Sequence, residues 1–425
     1  MLALALLKDP GYRSYWLALF ASQMGTWMQA AAQGWLVLLL TGSAERLGLV
    51  VALQFLPSLL FSLPAGVLAD RYPKRDLLRF TQGGMTLLAL AMAFLVYTGW
   101  VRYGHVLLFA FLYGALNAMD QPVRQSFTVE LAGKERYPGA IALNSFGFNT
   151  SRLVGPAVAG FLIAFYGVGA AYLANALSFL PILWVLSRLP RGEGNGVVQG
   201  RWWTEALEGI RFVLGHPVVR RVVGLILFAT LLGMNFQTLV PAYARLVLGL
   251  SATGYGFLLS SVGVGAILAA LIMAFTGRPR PWRLVLGLFA LALAHLGLAL
   301  KLPGLVPLFL AVGGFGMISV LINANTLVQL SVPDRLRGRV MAVYSLVMLG
   351  TGPLGAYLTG FLFEALGGRR AALVLGLGAS LLSRQMPSAS RSRPCPATAC
   401  PSSRSLSWCA TASTPIPCAS TLPRN

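Results

Sequence analysis

Acidic residues are scarce in this sequence: 12 Asp and Glu stand against 33 Lys and Arg in 425 residues, and histidine occurs three times. No cluster of His, Asp and Cys gathers near one face of an apolar stretch. A membrane-embedded enzyme therefore lacks its reagents, and neither a metal site nor a cofactor is expected. Cysteine is absent until the last stretch, where Cys395, Cys400, Cys409 and Cys418 fall, so the body of the chain holds no disulfide and no thiolate metal centre. No glycine-rich loop ends in Gly-Lys-Ser or Gly-Lys-Thr, which removes the phosphate cradle that ATP-driven pumping requires. Charge of either sign is rare, 11% of residues against about 25% in a soluble domain, and soluble architectures are excluded.

What fills the sequence is hydrophobic: 56% of residues, with a mean hydropathy of +0.72. Apolar stretches recur at roughly 14–40, 47–69, 77–99, 104–123, 139–166 and 168–187, then 220–248, 254–277, 284–301, 305–330, 340–366 and 371–383. Most are long enough to cross a hydrocarbon core of about 30 Å as a helix. The expected fold is all-α, two six-helix bundles in a bilayer: residues 1–190, a linker at 191–219, residues 220–383, and an atypical tail at 384–425. The linker carries an amphipathic run from Trp202 to Leu214 that suits the membrane interface. The first span is too long for the apolar core of a cleavable signal peptide and is expected to be retained.

The formal charge of +21 does not point to nucleic acid, because the basic residues lie between apolar spans rather than on one soluble face. With the N-terminus in the cytoplasm, about 21 of them fall in cytoplasmic segments and about 6 in external loops, the positive-inside bias. A cell inner membrane and a cytoplasmic N-terminus are expected.

A repeat divides the chain. Ile141-Ala-Leu-Asn-Ser145 matches Met341-Ala-Val-Tyr-Ser345, and each is followed by a Gly-Pro pair, Gly155-Pro156 and Gly352-Pro353, at an offset of about 200 residues. Halves with an even number of spans in the same orientation imply a pseudo-twofold axis normal to the membrane, with a path between them. The twelfth span departs from this plan. It stops near Ser383, and the following Ser-, Pro-, Arg- and Cys-rich stretch reads either as a shifted reading frame or as a disordered polar tail.

Four groups of residues are candidates for function. The loop after the second span, Gly66-Val-Leu-Ala-Asp70-Arg71-Tyr-Pro-Lys74-Arg75, joins a close-packing glycine to a carboxylate and a basic cluster; Asp70 can face a helix N-terminus or accept from Arg and latch one conformation. In the fifth span, Asn149, Ser151, Gly155, Pro156 and Gly160 supply a small-residue seam and a proline bend. Arg152 lies mid-span, where an ionised group demands a partner or a wet cavity. Asp120 is expected either to serve Arg152 or a proton, or to pair with Arg124 one turn on, and Glu364 is a second proton-site candidate or an interfacial carboxylate. Gln23, Trp27, Gln29, Gln54, Asn235, Gln237, Asn323 and Asn325 face substrate or bridge helices. His295 is expected to be satisfied by neighbouring backbone.

The opening Tyr12-Arg-Ser-Tyr-Trp16, the runs Gly34-Trp-Leu-Val-Leu38 and Leu40-Thr-Gly-Ser43, the Asp70 loop, Gln121-Pro-Val-Arg124 and Asn149 to Gly160 together resemble one branch of the major facilitator superfamily. That branch holds siderophore exporters of the enterobactin type and related macrolide and multidrug efflux proteins. The resemblance spans about residues 8–383. It implies two bundles rocking about a central cavity and exchanging a small-molecule substrate for protons; a monomer is expected. It departs at Thr26, where many relatives carry an acidic or polar residue, and at the broken twelfth span. Uptake of small polar solutes by the same fold, or a copy inactivated by its altered C-terminus, are the alternatives.

Overall fold

Proline and glycine punctuate the helices. Asp9 caps the first through its carboxylate, which accepts from the backbone N–H groups of Gly11 and Tyr12 at 3.0 and 3.4 Å, and Pro10 opens it. Gly42, Gly99, Gly133, Gly167, Gly249 and Gly367 all take positive φ between elements, a backbone conformation that a Cβ disfavours. The computed structural model of the chain describes residues 6–133, 135–189, 202–276, 281–300 and 302–384, with backbone alone at 62–71, 202–206, 274, 276, 334 and 383–384.

Helix accounts for every regular element among the described residues. The first half contains α1 (Pro10–Thr41), α2 (Ala44–Arg71), α3 (Lys74–Tyr97), α4 (Tyr103–Ala132), α5 (Tyr137–Tyr166) and a sixth span made of α6 (Val168–Ser178) and α7 (Leu180–Arg188). The linker helix is α8 (Trp202–Gly215). The second half follows with α9 (Pro217–Leu232), α10 (Phe236–Ala242) and a π turn (Tyr243–Val247) as its first span, then α11 (Ala252–Thr276), α12 (Pro281–Ala299), α13 (Val306–Ser331), α14 (Asp334–Leu366) and α15 (Gly368–Arg384). Among the described residues, ten helical stretches are long and apolar enough to cross a membrane. The 32-residue α1 is long enough too, but Ser22, Gln23, Thr26, Gln29 and Gln33 dilute its hydropathy.

Two expectations need correction. The seventh span is not continuous: α9 ends at Leu232 and α10 begins at Phe236. Gly233 weakens the helix there, and the Asn235 amide donates to the carbonyls of Thr230 and Leu231 at 3.0 and 3.1 Å, satisfying backbone that the break frees. The last helix, α15, has 17 residues rather than the expected 13, which brings it to the lower limit for crossing, about 17 residues. The tail reading falls almost wholly on residues 385–425, outside the described residues.

The internal repeat is physical. Pro156 lies within α5 and Pro353 within α14, and each helix ends on a positive-φ glycine, Gly167 and Gly367. The halves meet along two seams, α2 with α14 and α5 with α11, each pairing the second helix of one half with the fifth of the other. Both seams are glycine-lined. A Cβ at Gly256 would lie 2.5 Å from the Pro156 carbonyl oxygen, and one at Gly48 2.6 Å from that of Ala356, so only glycine permits this backbone approach.

Candidate binding cavity

The end of the bundle that holds the α1–α2 connection, here the Ser43 end, is sealed between halves. Trp35 of α1 stacks on Tyr255 of α11 at 5.3 Å, the Tyr255 hydroxyl donates to the Ala31 carbonyl at 3.1 Å, and Arg245 lies over the Trp35 ring at 5.0 Å. Tyr357 of α14 donates to Glu45 of α2 at 2.8 Å, and Glu364 accepts from the Ala44 N–H at 2.9 Å. Three side-chain hydrogen bonds between the halves gather at this end.

Behind the seal lie two adjoining cavities. One, of 290 Å³, sits between the halves against the broken seventh span, with Met234, Asn235, Phe236, Gln237 and Thr238 on that wall and Arg152 on the facing α5. The other, of 270 Å³, is walled by the first half except at Gln237, with Gln23, Thr26, Gln54, Tyr113, Asp120 and Arg124 in its wall. Trp27, Phe55 and Gln237 belong to both and form their shared boundary. Trp27 also meets Phe148 edge-on at 5.6 Å, which fixes its indole.

Asp120 is fully buried. One oxygen accepts from the Thr81 hydroxyl at 2.9 Å and the Gln82 amide at 2.7 Å; the other faces the Arg124 guanidinium at 3.4 Å. Gln82 in turn accepts from Ser22 at 3.3 Å, so α1, α3 and α4 converge on one carboxylate. Of the two partners expected for Asp120, the one found is Arg124, one turn along the same helix; the pairing with Arg152 is not formed. Arg152 instead leaves Nε and Nη2 buried without a hydrogen-bond partner.

The family now follows from sequence comparison. A profile described as transmembrane secretion effector matches residues 1–405. The chain belongs to the major facilitator superfamily, in its transmembrane secretion effector family. The chain is 26% identical to a staphyloferrin A transporter of Staphylococcus aureus, over 83% of this chain and 90% of that one. It is 30% identical to the multidrug efflux pump Tap of Mycolicibacterium fortuitum, over 84% and 90%, and 28% identical to the enterobactin exporter EntS of Escherichia coli, over 85% and 87%. In fold it is similar to a bacterial homologue of the lysosomal transporter Spinster solved inward-facing, TM-score 0.67 at 16% identity, covering 88% of this chain and 98% of that one. A D-xylose–proton symporter gives 0.66 at 17%, over 87% and 96%.

Against this facilitator fold, the residues singled out from sequence separate by position. Gln23, Trp27, Gln54, Asn235, Gln237, Asp120, Arg124 and Arg152 line the cavities. Gln29 and Asn323 do not. Gln29 is buried and accepts from Asn175 of α6 at 2.7 Å, and the buried Asn323 donates to Ser319 and Met273, so both are helix bridges. Asn325 accepts from Gln329 one turn on and lines neither cavity. His295 is held by the Leu291 carbonyl at 2.8 Å, as expected. Glu364 stands at the Ser43 seam, away from both cavities.

In the fifth-helix motif, Gly155 packs on α1 at Trp27 and Gly160 on α11 at Ala252, so one stripe serves two interfaces. Ser151 is wholly buried and Asn149 donates to the Ser145 carbonyl. In the Asp70 loop, Lys74 pairs with Glu130 of α4 at 3.0 Å and Arg75 donates to the Leu189 carbonyl at 2.7 Å, tying the loop to its own half. The side chains of Gly66, Asp70 and Arg71 lie outside the described residues. Sequence reading missed Ser22, Thr81, Gln82 and Tyr113. Their signal was available, as hydrogen-bonding groups inside apolar spans.

Proposed function

We propose that this chain is a secondary exporter of small amphipathic molecules, exchanging them for protons by alternating access, as a monomer in the cell inner membrane. The observation that carries this reading is the juxtaposition of a carboxylate–guanidinium pair, Asp120 and Arg124, with a cavity lying between two halves that close on each other at the Ser43 end. The positive-inside bias sets the Ser43 end outside, so the seal is external and the conformation is inward-facing. Substrate enters from the cytoplasm against Trp27, Phe55 and the Met-rich wall, and Asp120 exchanges a proton when the cavity turns outward. The names of the relatives, a siderophore exporter and a multidrug efflux pump among them, support export over uptake.

The test is efflux of fluorescent dyes, macrolides and catecholate siderophores from pump-deficient cells expressing the chain, with and without a proton uncoupler. Export abolished by the uncoupler is the expected result. Accumulation of these compounds above the control would reverse the direction assigned here.

A further inference from the structure

Among the described residues, Arg152 is the one ionisable group in the wall of the cavity between the halves. It lies mid-helix on α5, its Nε and Nη2 are buried without a hydrogen-bond partner, and no described carboxylate pairs with it. The two charged groups of the adjoining cavity, Asp120 and Arg124, face each other and offset one another. The joint space therefore carries one uncompensated cation. A guanidinium at membrane depth is costly when unpaired, and its planar fork matches a carboxylate through two parallel hydrogen bonds. Around it stand Trp27, Phe55, Met234, Met317 and Met348, an aromatic and thioether wall that accepts apolar bodies of varied shape.

We propose that the molecule this cavity takes is an amphipathic anion whose carboxylate seats on Arg152 and whose apolar body lies against Trp27 and the methionines. This rests on the cavity being the transport path, and it narrows the substrate from amphipathic molecules in general to those with a single acidic group. Amphipathic cations are disfavoured at this site by the same charge.

The experiment is calorimetric titration of the purified full chain with 1-naphthylacetate, its neutral amide and 1-naphthylethylamine, three probes of similar shape and different charge. The acid should bind at least about tenfold tighter than the amide, the scale of one charge-assisted hydrogen bond, and the amine weakest. In Arg152→Met the acid should fall to the level of the amide, while Arg152→Lys keeps part of the preference. Laurate is run beside them: tighter laurate binding assigns the anion to the bilayer, tighter naphthylacetate to the cytosol, and either supports the proposal. Equal affinity for acid and amide, a preference for the amine, or no binding of any acid overturns it. Should Arg152→Met fail to fold, the wild-type series decides alone. The binding series is independent of coupling: loss of uncoupler sensitivity in cells would remove antiport and leave this result intact.

Discussion

The Glu364 carboxylate on α14 accepts a hydrogen bond at 2.9 Å from the backbone N–H of Ala44, the first residue of α2, 320 positions away in the chain. A side chain of one half thus caps a helix of the other. Under the alternating access proposed above, the contact is made only with the Ser43 end closed and biases the equilibrium toward the conformation described here. Replacing Glu364 by Ala should shift the balance toward the alternative state by on the order of fivefold, and Glu364→Gln, which keeps an acceptor, should shift it less. Labelling of a cysteine placed at Gly34 reads the change; equal labelling in all three proteins would deny Glu364 this role.

The glycine seams carry the same equilibrium. Gly256 of α11 approaches Pro156 and Gly160 of α5 so closely that a side chain would force the helices apart. Gly256→Leu should lower transport by at least about tenfold, with the folded protein still recovered, because each half keeps its own packing. Wild-type transport in that variant would mean the seam tolerates separation and the close approach is incidental.

Asp120 and Arg124 are best tested together. Asp120→Asn leaves a partly buried guanidinium without its carboxylate, a loss on the order of 3 kcal/mol in stability, whereas Asp120→Asn with Arg124→Gln removes both charges and should recover most of it. Neither should retain proton-driven export if the carboxylate is on the proton path. Unchanged pH-driven export in the single variant sinks that assignment while leaving the pair as a structural feature.

Gln29 provides the contrast. Its hydrogen bond to Asn175 at 2.7 Å is buried between α1 and α6, away from both cavities. Gln29→Leu should cost about 0.6–2 kcal/mol and leave the substrate profile unchanged. A changed profile, measured by the same efflux panel, would put Gln29 back among the substrate contacts.

Asp70 lies at the C-terminal end of α2, next to a loop whose Lys74 and Arg75 are tied to Glu130 and Leu189 of the same half. Asp70→Asn should slow turnover without lowering expression, because a latch acts on the rate of rocking rather than on folding. Wild-type rates would remove the latch.

Much of the fold could be read from the apolar runs, since a 20-residue span leaves the chain almost no choice but helix in a bilayer. The α1, α5 and α13 boundaries fall within a few residues of those expected from hydropathy. What hydropathy does not encode is rotation about each helix axis. Gln23 and Gln29 stand on the same helix, yet one faces a cavity and the other faces Asn175, and only packing decides which. The break at Gly233–Asn235 was hidden for a similar reason: the residues around it are apolar enough to continue the span, and it is held open by the Asn235 amide reaching back to Thr230 and Leu231. Asp120 and Arg152 drew notice as charges in lipid, but their separation follows from how α4 and α5 pack.

The central claim is antiport, and reconstitution addresses it most directly. The purified chain would be placed in liposomes with the Asp70 loop facing outward and a pH-sensitive dye in an acidic lumen, and 1-naphthylacetate then added outside. The account predicts accumulation of the compound in the lumen together with a rise in luminal pH beyond the passive leak, both lost in Asp120→Asn. Accumulation without proton movement, or indifferent to the imposed gradient, would contradict it.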